Sequence, residues 1–290
     1  MQVQAAYLGV ILIWTTTPLA IQWSGQGNSF LFAVTGRMVI GALIALLLVW
    51  VLRLPMAWHR RARRTYLAAA IGIYGAMMAV YWSAQFIPSG WISVIFALTP
   101  IATGILAVRW LGESALTPLK LIGMLLGITG MAAIFYSGEK LSGIAWLGVI
   151  GMVVSVILHS SSSVLVKKAG YHAHGLVIAT GGLLVSVPLY LLTWFLTDSE
   201  WPTSIPQRSA WSILYLGVVG SVLGFALYYF VLRRAGPTRA AFITLITPVT
   251  AIWLGHVLNG EGVDSSVITG TALILSGLGL FEWGDRLRRR

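Results

Sequence analysis

The chain has 290 residues, of which 58% are hydrophobic and only 9% charged, against roughly 25% charged in an ordinary soluble domain. So apolar a chain would not stay dispersed in water, so composition points to an all-α integral membrane protein. Nineteen Lys and Arg stand against eight Asp and Glu with no cysteine; disulfides and thiolate metal sites are excluded, and the basic excess falls on inter-helix loops and the tail, where topology explains it without nucleic acid.

Apolar runs long enough to cross about 30 Å of hydrocarbon can be drawn ten times, near residues 4–23, 30–52, 66–87, 90–111, 118–136, 143–166, 175–196, 210–232, 239–258 and 266–284. Many of the tryptophans, among them Trp23, Trp110, Trp146 and Trp211, lie close to the run ends, as an interfacial aromatic belt requires. The first run lacks a basic leader and a small-residue cleavage site, so no signal peptide is expected. It carries Trp14, Thr17 and Pro18, candidates for a cavity wall and a helix kink. The second run contains Arg37, a charge well inside a span and therefore a functional candidate by its cost alone. Ala33, Gly41 and Ala45 share its helical face, which aims Arg37 at a tight helix contact rather than at lipid. The alternatives are a structural arginine bonded to carbonyls and a counter-charge for a solute carboxylate or phosphate.

In the third run Met77, Tyr81 and Gln85 form one stripe with Trp82 beside it; in the eighth, Ser221, Phe225, Tyr228 and Tyr229 cluster. Aromatic rings with a few polar tips suit a pocket for a largely apolar or cationic metabolite, although ordinary packing produces similar stripes. The fourth run adds Phe96, Thr99 and Pro100, and the ninth adds Thr247 and Pro248. Each proline removes a backbone hydrogen bond, each neighbouring threonine can satisfy the freed carbonyl, and a kink with a gating or shaping role is expected at both. On the sixth run Ser155, His159 and Ser162 or Ser163 share a face, and His159 is the candidate for any proton relay. Glu113 and Glu261 follow the fourth and ninth runs and are read as structural caps of the next helices. Gly123 and Gly127 in the fifth run, with Gly270, Gly277 and Gly279 in the tenth, permit close packing within one protomer or between two in a homodimer.

One pattern occurs twice. Leu98-Thr99-Pro100 followed by Leu111-Gly112-Glu113 returns as Ile246-Thr247-Pro248 followed by Asn259-Gly260-Glu261, and Thr35-Gly36 and Tyr81 find counterparts in Thr180-Gly181 and Tyr229. Residues 1–137 and 138–290 are therefore read as two copies of a five-helix unit. Counting alternate loops, sixteen Lys and Arg fall on one side against Lys140 and Arg208 on the other, which places both termini in the cytoplasm and the loop with Asp198 and Glu200 outside. Five helices per unit is an odd number, so the second copy is expected to be inverted around a midplane site.

The run from Leu98 to Gly130 and its copy from Ile246 to Gly277, together with Trp14 and Arg37, resemble the EamA type of the drug/metabolite transporter superfamily. The resemblance implies ten helices, a central cavity lined mainly by helices 1, 3, 4, 6, 8 and 9, and export or uptake of small metabolites. The expectation is a secondary transporter that moves a small organic solute, an amino acid or a related aromatic or cationic compound, out across a bacterial inner membrane by alternating access. A channel or facilitator pore is the alternative, with the Ser160 to Ser163 run as its one filter-like segment; a membrane enzyme would need acidic or His-rich constellations that the sequence lacks. No cofactor, metal or nucleotide motif is present in the sequence, and the partners expected are a small-molecule solute and the lipid bilayer. No Asp or Glu lies in the interior of any run, Glu282 sitting two residues from the end of 266–284, a departure from the small multidrug-resistance branch with its first-helix glutamate.

Overall fold

A computed structural model describes residues 2–113, 117–136, 144–197, 201–241, 243–260 and 262–287. Glu261, Asp198, Glu200, Lys140 and Arg288 to Arg290 lie outside these described residues. Every regular element among those described is helical: α1 (Gln2–Ser24), α2 (Phe30–Val51), α3 (Arg60–Ser83), α4 (Ser89–Leu111), α5 (Pro118–Tyr136), α6 (Ala145–Ala169), α7 (Gly175–Thr197), α8 (Gln207–Ala235), a short turn at Pro237–Ala241, α9 (Ile243–Asn259) and α10 (Ser265–Leu287). Among the described residues seven of these, α1 to α4 and α6 to α8, are long and apolar enough to cross a membrane, while Pro118–Gly130 and Ser265–Gly277 are shorter apolar stretches. Leu12, Trp50, Phe195, Leu196 and Trp253 are each 70% exposed or more, an outer surface that only hydrocarbon solvates well.

Local chemistry explains the ends and breaks. The Ser29 hydroxyl accepts from the Phe32 amide and starts α2, an N-cap. Gly112 and Gly260, the glycines of the repeated Gly-Glu motif, adopt φ of 68° and 65°, a left-handed C-terminal turn that L side chains enter only at a cost. The breaks inside helices are also duplicated. α3 widens into a π-helical segment at Ile71–Ala76 and α8 does so at Leu216–Gly224. With Tyr81 set on Tyr229, Ile71–Ala76 falls within the second of these.

A π turn shifts the backbone bonding from i+4 to i+5, and hydroxyls from neighbouring helices bond carbonyls in and just before the first segment. Ser155 and Ser162 of α6 donate to the Ala76 and Ala68 carbonyls at 2.9 and 2.7 Å, and Tyr190 of α7 donates to Ile73 and Tyr74 at 2.7 and 3.1 Å. Ser160 reaches the Thr99 carbonyl at 3.4 Å. The serine run of α6 is therefore spent on helix contacts rather than arrayed along a filter.

The six helix pairings that follow map onto one another when each helix is exchanged for the one five places on. α2 packs on α7, α4 on α9 and α5 on α10; the pair α1 and α9 answers α6 and α4, α3 with α6 answers α8 with α1, and α3 with α7 answers α8 with α2. The α5–α10 contact uses the glycines of both helices within one chain. A Cβ on Gly130 would lie 2.5 Å from the Gly270 carbonyl oxygen, and one on Gly277 would run into the Gly123 carbonyl. Only hydrogen at these positions lets the two backbones approach so closely.

Candidate functional site

A cavity of about 60 Å³ lies where α1, α2, α3, α4, α6, α8 and α9 converge. From α1 come Trp14, Thr17, Pro18 and Ile21, three of them spaced by three or four residues on one face. Met77 and Val80 of α3, Ile92, Ser93 and Phe96 of α4, His159 of α6, Phe225 of α8 and Thr244 and Thr247 of α9 complete the wall, with Arg37 reaching it from α2. The space holds a few waters and falls well short of the several hundred Å³ of a typical organic ligand site.

Rings dominate one wall. Trp14 lies 5.1 Å from Tyr228 and 5.7 Å from His159, and His159 lies 5.2 Å from both Phe96 and Tyr228. Offset and edge contacts at such distances hold aromatic side chains rigidly. The Tyr228 hydroxyl is 2.5 Å from Ser163 Oγ, which also donates to the His159 carbonyl. His159 Nε2, in contrast, has no hydrogen-bond partner among the described residues although the side chain is buried.

Arg37 is 2% exposed. Its Nε donates to Ser221 Oγ at 2.9 Å and its Nη1 to the Tyr81 hydroxyl at 3.4 Å, with the Tyr81 ring centroid 5.8 Å from Cζ. Ala33 and Ala45 on the same face are fully buried, and Gly41 fits against Ser221, as the spacing along α2 predicts. An arginine at bilayer depth costs about 2.5–3.5 kcal/mol on insertion scales, so its hydroxyl partners offset part of a real penalty.

The remaining sequence candidates occupy other places. Ser221 and Tyr81 stand behind the cavity as partners of Arg37. Trp82 meets Phe86 edge to face at 5.0 Å and fills the space beside Gly151 of α6. Gln85 lies past the end of α3, exposed, with Nε2 on the Trp82 carbonyl; the helical stripe that joined it to Met77 and Tyr81 stops at Ser83. Ser162 binds α3, and Tyr229 meets Tyr228 edge to face at 5.4 Å with its hydroxyl 3.5 Å from the Ala69 carbonyl. Thr99 is buried, its hydroxyl turned to the Phe96 carbonyl. Glu113 is exposed, and its carboxylate accepts from the Thr238 hydroxyl at 3.3 Å, joining the end of α4 to the turn before α9. Thr117 precedes α5, and its hydroxyl makes no capping bond among the described residues. Ile21, Val80, Ile92, Ser93 and Thr244 are lining residues missing from the sequence reading. Each lies three or four positions from a named candidate, and extending those faces by one turn finds them all.

At the end where α1 and α9 finish and α8 begins, Trp23 Nε1 donates to Asn259 Oδ1 at 3.0 Å, Asn259 Nδ2 donates to Gln22 Oε1, and the Arg208 guanidinium covers the Trp23 ring at 4.0 Å. Asn259, where the first copy of the motif has Leu111, thus ties α9 to α1.

Against known families, the model described as the EamA-like transporter family matches twice, over residues 4–136 and again over 141–282. The chain belongs to the EamA-like transporter family. Relatives include the "Uncharacterized transporter YoaV" of Bacillus subtilis, 22% identical over 281 residues and spanning 96% of this chain and 95% of that one. The "Probable terminal-alkyne amino-acid exporter" of Streptantibioticus cattleyicolor is 24% identical over 290 residues, with 96% and 95% covered. A "Probable amino-acid metabolite efflux pump" of Salmonella typhimurium is 25% identical over 178 residues, covering 59% of this chain and 60% of that one. A solved crystal structure superposes with a TM-score of 0.70 at 18% identity, covering 99% of both chains, a likeness of fold. These EamA-type relatives are named as transporters and exporters, not as enzymes.

Proposed function

We propose that this EamA-type chain is a secondary transporter that exports a small organic solute, an amino acid or a related compound, across the bacterial inner membrane by alternating access. The observation that carries the reading is a cavity walled by helices of both family units. It is built of ten membrane-crossing helices in two inverted five-helix repeats, residues 1–137 and 138–290, with both termini cytoplasmic. Support for the inversion comes from the odd helix number per unit, the loop charges, and the contacts that survive exchange of helices five places apart. Export of an amino-acid-like solute is supported by the names of two relatives.

The cavity, at about 60 Å³, is too small for such a solute until the units move. That requirement favours a moving carrier over a standing pore, and the duplicated prolines and π segments are the places where helices bend with least loss of bonding. Trp14, Phe96, His159 and Phe225 form the solute wall, and Pro18, Pro100 and Pro248 the bends. The test is a melting-temperature screen of the purified protein against a metabolite panel, since a solute that binds only the folded state stabilises it by mass action. A hit must then be moved by reconstituted vesicles; a panel of amino acids and related compounds in which nothing binds or moves would reject the reading.

A further inference from the structure

Arg37 lines the cavity, yet none of the eight acidic residues of the chain falls in α1 to α4 or in α6 to α8. Its two side-chain bonds go to neutral hydroxyls, those of Ser221 and Tyr81. A guanidinium has five N–H donors in a planar fork, so one hydrogen on Nη1 and both on Nη2 remain. Nη2 lies 3.1 Å from the point a Cβ on Gly220 would occupy, and the missing side chain at 220 leaves it room.

The duplication supplies an internal control. Aligning Thr35-Gly36 with Thr180-Gly181 puts Arg37 on Gly182, and aligning Tyr81 with Tyr229 puts Ser221 on Ile73. In the structure Gly182 does pack on Ile73: a Cβ at 182 would stand 2.7 Å from Ile73 Cδ1. One helix crossing is thus built twice, α2 on α8 with an arginine and a serine, α7 on α3 with a glycine and an isoleucine. The second version shows that the crossing closes without any charge. The cation in the first is surplus to packing, and it is the one that reaches the cavity.

We infer that Arg37 is the anion anchor of the transport site and that the solute carries a single carboxylate, held by two parallel N–H···O bonds from the guanidinium. Ser221 and Tyr81 are positioning residues that hold the fork toward the cavity. A monocarboxylate fits better than a phosphate because Arg37 is the one Lys or Arg lining the cavity among the described residues, so a dianion would keep an uncompensated charge in a largely apolar site. The rest of the lining is mostly apolar, and it includes His159, whose Nε2 is buried without a protein partner among the described residues and would be the candidate for a second polar group of the same solute. This inference rests on the transporter reading above and specifies its solute.

The test uses vesicles containing the full chain and the solute found in the screen, with 3-phenylpropanoate, 3-phenylpropanamide, phenylalanine and phenylalaninamide as competitors. In the native protein each acid should compete roughly tenfold or more better than its amide. Arg37→Gln should remove that gap and Arg37→Lys, which keeps charge but not the fork, should keep part of it. The pair Arg37→Gly with Ser221→Ile copies the other unit, and it should melt near the native temperature while losing the preference. Equal competition by acid and amide in the native protein overturns the inference without any variant, as does a transported solute that has no anionic group, or a gap that survives Arg37→Gln. A protein that moves no solute rejects the transporter reading and this inference with it.

Discussion

The Thr99 hydroxyl donates to the Phe96 carbonyl at 2.6 Å, and that carbonyl is the one Pro100 leaves without an amide partner. In the second unit Thr247 does the same for the Thr244 carbonyl, orphaned by Pro248, at 3.3 Å. The repeated Thr-Pro pair is thus one device, a proline that opens the helix and a threonine that repairs it. Thr99→Val and Thr247→Val keep shape but remove the donor, and each should cost about 1 kcal/mol. Serine at either position should retain most of the stability. Thermal unfolding in detergent checks both, and valine variants that melt with the native protein would show that the repair contributes nothing.

The α5–α10 contact is expected to fail on enlargement. Gly130→Val places carbon against the Gly270 carbonyl and Ile274, and overpacking of this kind costs about 1–3 kcal/mol. A lowered melting temperature is expected, since the contact is made within one chain. Unchanged melting with a loss of dimer would instead assign these glycines to a protomer interface.

Cavity wall and helix packing should separate by mutation. Trp14→Ala and Phe96→Ala should weaken solute binding about tenfold or more, because each removes a ring from the wall. Trp82→Ala should lower stability without a selective binding defect, since it fills space beside Gly151, and Gln85→Ala should change neither. Binding measured by ligand-induced melting shifts decides this; a selective binding loss in Gln85→Ala would move the site toward the end of α3.

The loop charges predict which side each turn faces. Ser204 and His172 are both exposed and the chain has no cysteine of its own, so single cysteines there report independently. An impermeant thiol reagent on intact cells should label Ser204→Cys and spare His172→Cys. The reverse pattern would turn the protein over in the membrane.

The helices were legible in the sequence because apolar length and Gly and Pro punctuation are local signals. The run expected at 66–87 becomes Arg60–Ser83 because basic residues at 60–64 continue the helix, their long side chains being able to reach an interface. The π segments were not legible. Ile71–Ala76 reads as an ordinary apolar turn, and the hydroxyls of Ser155 and Tyr190 that bond its carbonyls come from other helices. The same limit applies to the candidate site: helical spacing put Met77, Tyr81 and Gln85 on one stripe, but it could not place the helix end at Ser83 or turn Tyr81 toward Arg37. Arg37 itself was found from its cost in hydrocarbon, whereas its unequal counterpart, Gly182, gained meaning only once both crossings were seen.

The central claim is that one cavity serves both membrane faces in turn. Counterflow tests it most directly: vesicles are loaded with excess unlabelled solute and diluted into a trace of the labelled form. A carrier with one alternately exposed site should draw label inward above its outside concentration for a transient period, faster than in empty vesicles, and saturably. Label that merely equilibrates, at a rate proportional to concentration and indifferent to solute inside, would contradict alternating access and identify a pore.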